Sequence, residues 1–157
     1  MHTAPRQALR PSARAVWRAL ARAGALAALI AVAGPAQAGK PRRDDPVRKD
    51  IVAAVRHHPA FDKFRGSKLD IRRIWASERF GYVCMLVVGK DGQHQGSDGA
   101  YDVHQIVLRH DDGKWTAVAQ IEGLSESSKA VQCAADPSGQ ITDAFLEDVA
   151  GNPHLAL

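Results

Sequence analysis

Residues 101–122 read YDVHQIVLRHDDGKWTAVAQIE, and this stretch decides the fold. A run rich in β-branched residues fills 101–109, Asp111-Asp112-Gly113 follows, and a second β-rich run occupies 115–122. Asp-Gly between two such runs signals a hairpin, because the tight turn that matches strand twist needs backbone angles these residues tolerate. Alternation then places Trp115, Ala117, Ala119 and Ile121 on one face, where the small alanines leave room for a helix.

Upstream, 80–88 (FGYVCMLVV) is apolar on both faces, as a central strand would be. Leu69, Ile71 and Trp75 mark a strand before it, with Ile74 out of phase and a bulge expected at Arg72-Arg73. The loop 89–99 is polar and holds four glycines. A helix is expected earlier still. Asp44 or Asp45 caps it, Pro46 suits its first position, and Val47, Ile51, Ala54 and Val55 repeat at helical spacing. Pro59 stops it near His57 or His58. Phe61 and Phe64 then plug one end of the core. Downstream, residues 136–139 form a turn. A short helix follows over 143–150, with Thr142 as cap, Gly151 as stop, and Ile141 and Leu146 as a hydrophobic staple. The expected class is α+β. An N-terminal helix packs on a curved four-stranded antiparallel meander, with one disulfide and a short C-terminal helix. Cystatin-like and NTF2-like proteins share that architecture, which by itself carries no function.

The stretch Gly99-Ala100-Tyr101-Asp102, the apolar run ending Leu108-Arg109, and Gly113-Lys114-Trp115 resemble a group of small exported proteobacterial proteins of unknown function. The resemblance covers roughly residues 47–122. It implies the helix and the strand pairs, and it supplies no activity.

The first 38 residues read as a cleavable export signal. Arg6, Arg10, Arg14 and Arg18 form a basic start without an acid, 19–33 is almost wholly apolar, and Ala36-Gln37-Ala38 offers small residues where a signal peptidase cuts. The apolar run is shorter than the roughly 20 residues that span a bilayer. No Cys follows it, so no lipid is expected there. Cleavage after Ala38 leaves a basic flexible tail over 39–45 and a single domain over 46–157, with no transmembrane segment. The expected location is the periplasm or the exterior.

Cleavage changes the charge reading. The leader takes five arginines and no acid, so the formal charge of +4 becomes −1, and the basic pI is no sign of nucleic-acid binding. Residues 40–73 still carry a net +6, while 74–157 carry −7. Such asymmetry bears on partners, although a basic helix packed beside its own acidic surface explains it more plainly. Cys84 and Cys133 are the only cysteines, and in an oxidising compartment they have one intramolecular pairing.

No motif assigns catalysis. Asp102 and His104 share a strand face and form a His–carboxylate pair, but a metal site needs three or four convergent ligands. His94 in the glycine-rich loop is the nearest further candidate. Tyr101, next to Asp102, points to the other face, which argues against a shared proton-transfer site. Arg72 and Arg73 close the basic segment and are candidate contacts for an anionic partner. No cofactor-binding pattern is present. The reading is a small exported binding or inhibitory module, not an enzyme. Its expected partner is an envelope protein or an anionic envelope polymer, and its oligomeric state is open. An NTF2-like ligand or catalytic pocket, or histidine-based metal binding, is the alternative.

Overall fold

A computed structural model gives the structure of the chain and describes residues 38–157. The leader expected over 1–38 lies outside the described residues, apart from Ala38.

Asp45 caps the first helix, α1 (Pro46–His57). Its carboxylate accepts from the Val47 N–H at 2.9 Å, and Pro46 stands in the first turn. Pro59 cannot extend the helix and opens a 3₁₀ turn, Pro59–Phe64, which His58 caps. Five strands follow: β1 (Lys68–Ala76), β2 (Phe80–Val88), β3 (Gly96–Ser97), β4 (Ala100–Asp111) and β5 (Lys114–Ser125). All pairings are antiparallel, and the four long strands run β1–β2–β4–β5. The expected meander is therefore present, and the glycine-rich loop adds the two-residue β3 beside the head of β4. At the decisive turn Asp112 and Gly113 both have positive φ, 50° and 74°, and Asp111 faces Lys114 across it.

The sheet is a filling between two layers, which explains why β2 is apolar on both sides. Val83, Met85 and Val87 meet Ile51, Val55, Phe61 and Phe64 on the α1 side. Tyr82, Cys84 and Leu86 meet Ile141, Leu146 and Val149 on the other. Gly81 lets the first layer close. A Cβ there would stand 3.0 Å from the Trp115 ring and 3.1 Å from Ile51 Cδ1. The second layer is the C-terminal segment. Cys84 and Cys133 are bonded, with Cα atoms 5.9 Å apart, and this ties the chain after β5 across the sheet. The second helix, α2 (Asp143–Gly151), then covers the face, with Thr142 accepting from the Phe145 N–H.

Two bulges set which side chains face which layer. The expected bulge in β1 lies between Ile71 and Arg73, leaving Arg72 unpaired and bringing Ile74 back to the α1 side with Leu69 and Ile71. The second bulge overturns the sequence reading of β5. Val107 pairs with Ala119 but Leu108 pairs with Ala117, so Val118 is an extra residue. An extra residue reverses the alternation. Trp115 and Ala117 therefore face α1, while Ala119 and Ile121 face the C-terminal layer.

The terminal segments occupy the two sheet edges in part. Gln120 N–H donates to Leu155 O and Leu157 N–H to Val118 O along β5. On β1, Gly39 and Ala76 exchange both backbone bonds, at 2.8 and 2.9 Å, so the segment expected as a tail starts with a rung on the sheet. Among the described residues no helix is long and apolar enough to cross a membrane.

Candidate functional site

The buried stripe of α1 is Ile51 and Val55, with Val47, Val52 and Ala54 packed beside it. Lys49 and Arg56 are exposed and Arg48 is half-buried. A turn at Arg43-Asp44, closed by the Asp45 N–H to Arg42 O bond, precedes the helix, and Lys40, Arg42 and Arg43 line the same side as Arg48. Two adjoining depressions result. One, of about 350 Å³, lies between residues 40–43 and β1 at Ile71, Arg72 and Ile74. The other, of about 430 Å³, has Val52, Ala53 and Ile71 as its apolar floor. Arg43, Arg48 and Ile71 line both. Neither depression has a carboxylate in its lining. Among the described residues Lys40, Arg42, Arg43, Arg48, Lys49 and Arg56 enter no ion pair; the paired cations are Arg65, Arg72, Arg79 and His94.

No acid stands in the first turn of α1, and the Asp45 carboxylate at the cap offsets part of the positive end of the helix dipole. Holding six cations within reach of one another costs stability through self-repulsion. A bound anion would relieve that cost.

The five sequence candidates do not form one site. Arg72 and His94 meet on Asp70: the Arg72 guanidinium donates to Oδ2, and His94 Nε2 is 2.9 Å from the same oxygen. That carboxylate pins the glycine-rich loop to β1, and the His94 ring meets Tyr101 edge-on at 5.7 Å. Arg73 faces Cys84 in register and its charge bears on the Tyr82 hydroxyl, which places it on the disulfide side. Asp102 and His104 lie together at the open end of β4, in a depression of about 430 Å³ with Lys63, Glu122 and Leu124.

The His104 ring can be assigned a tautomer. Gln120 Nε2 is 3.1 Å from the Glu122 carboxylate, which only accepts, and 3.3 Å from His104 Nδ1. Nδ1 is therefore the acceptor and Nε2 carries the proton. That N–H is buried and has no partner among the described residues. The ring is 6% exposed and lies against Phe64, with centroids 4.9 Å apart. Burial holds its pKa below the usual 6.5, partly offset by the Asp102 carboxylate. Among the described residues no three His, Cys, Asp or Glu side chains converge as a metal site would need.

A pH dependence follows from that burial. Unfolded, the ring takes a proton near pH 6.5; folded, it resists until lower pH. The stability held by the neutral ring is complete above about pH 6.5 and is lost as pH falls below it. A His104→Gln variant should lose this slope in urea unfolding between about pH 7 and about pH 5. Equal slopes in both proteins would contradict the assignment.

No protein-family model, curated protein or solved structure matches the chain.

Sequence reasoning found the basic segment as a charge excess but named its last two arginines. Of those two, Arg72 lines the first depression while bonded to Asp70, and Arg73 stands on the disulfide side; the other cations of the depressions come from residues 40–56. Helical phase held part of the missing signal, since Arg48, Val52 and Arg56 are spaced to share one side of α1.

Proposed function

We propose that this chain is an exported binding module that takes an anionic partner on the face between α1 and β1. The observation that carries the reading is the pair of adjoining depressions lined by seven Lys or Arg side chains, six of them without an ion-pair partner among the described residues, and by no carboxylate. Their apolar floor at Val52 and Ile71 adds a surface that a solvated charge cluster would not need. Export is supported by the basic-apolar-small pattern of residues 1–38 and by the Cys84–Cys133 bond, which persists in oxidising compartments. Retention on an immobilised poly-glutamate matrix tests the reading. The protein should bind at about 0.05 M salt and leave before about 0.5 M, because surface charges are screened over that range. Passage without delay at low salt would remove it.

A second reading has its own observation. The buried His104 N–H without an acceptor, beside Asp102 and Lys63, suits a small polar ligand with a carbonyl or carboxylate oxygen. The basic face ranks above it because its cations are already exposed, whereas His104 Nε2 is covered.

A further inference from the structure

The outer edge of β1 lies beside the basic face, and its backbone is only partly used. Ala76 turns its N–H and C=O outward, where Gly39 takes both. Ile74, two residues earlier, points the same way. The bulge shifts the count by one. Arg73 opposes Cys84 and Ile71 opposes Met85, the next residue of β2, so Ile71 and then Leu69 also face outward. The chain leaves this edge after Gly39, and Pro41 has no N–H to continue the pairing. No backbone bond from residues 40–43 reaches Leu69, Ile71 or Ile74.

We propose that the β1 edge between Leu69 and Ile74 accepts an extended acidic peptide as an added strand, flanked by Arg43, Arg48 and Arg56. This rests on the binding reading above and names its partner class. The Gly39–Ala76 rung shows that the edge takes an antiparallel neighbour. Strand addition draws affinity from main-chain bonds and selectivity from alternate side chains. Here the acidic set of side chains would lie on the α1 side, among the arginines around Val52 and Ile71, and the alternate apolar set would face the disulfide side. The edge also rejects the commonest wrong partner. A bulge and a row of cations keep two copies of it from pairing with each other, and they leave an acidic strand as the complement.

Four probes test this by calorimetry: an end-capped octapeptide alternating Glu and Val, its two forms N-methylated on one or the other set of alternate amides, and inorganic polyphosphate. The plain octapeptide should bind and slow hydrogen exchange at the amides of Leu69, Ile71 and Ile74. At least one of the two N-methylated registers should bind tenfold weaker or worse, since about two main-chain bonds are lost. If both N-methylated registers bind as well as the plain peptide, or only polyphosphate binds, the edge proposal fails and the anionic-partner reading survives. If no probe binds, both fail.

Discussion

Replacing both Cys84 and Cys133 by alanine is expected to lower the free energy of unfolding by about 4 kcal/mol. The bond closes a loop of 49 residues, and the entropy of an unfolded chain relieved of that closure accounts for the figure. The effect is large because of what the loop encloses. It runs from the middle of β2 through β4 and β5, so the bond fastens the C-terminal layer onto the sheet. Cys84 itself is fully buried, in contact with the cluster that α2 covers. Without the bond, that layer keeps its apolar contacts, the bonds at Gln105, the Ser77–Asp143 and Arg79–Glu147 contacts of α2, and the C-terminal bonds to β5. The melting temperature should fall by about 20 °C. Urea unfolding of the double variant checks this, and a loss below about 1 kcal/mol would contradict it.

Gln105→Leu should cost about 3 kcal/mol, although the side chains are close in size. Gln105 is a polar residue in a buried strand, and its Oε1 accepts from both the Tyr82 hydroxyl and the Ala134 N–H, each at 2.5 Å. Burial pushes the Tyr82 hydroxyl pKa well up, so the group stays protonated and needs an acceptor. Leucine would strand both donors, at about 1–3 kcal/mol each when desolvated. Tyr82→Phe made in the Gln105→Leu background should recover about 1 kcal/mol by removing one of them. A recovery of zero would mean that the hydroxyl finds another partner.

Much of this architecture was legible in the residues, for identifiable reasons. The Asp112-Gly113 turn, the Asp45-Pro46 helix start and the Thr142 cap are local devices whose chemistry depends on few neighbours. The double-sided apolarity of β2 marked a central strand, and the pairing of two cysteines needed only a compartment. The bulge at Val118 was not legible. It answers a demand from two layers at once, a small residue under α1 at Ala117 and another beside the returning C-terminus at Ala119. The candidate site was half legible for a related reason. Charge counting located a basic segment, but Arg72 and Arg73 are strand neighbours and point apart, while Arg43 and Arg48 meet only because the chain reverses before α1.

A calorimetric titration with poly-glutamate at low salt tests the basic face most directly, comparing the wild type with Arg43→Glu/Arg48→Glu and with Arg73→Glu. The double reversal should weaken binding by about 100-fold, because it places like charge against the ligand at the residues shared by both depressions. Arg73→Glu, on the disulfide side, should stay within about threefold of wild type. Unchanged affinity in the double variant, or an equal loss in Arg73→Glu, would contradict the assignment of binding to this face.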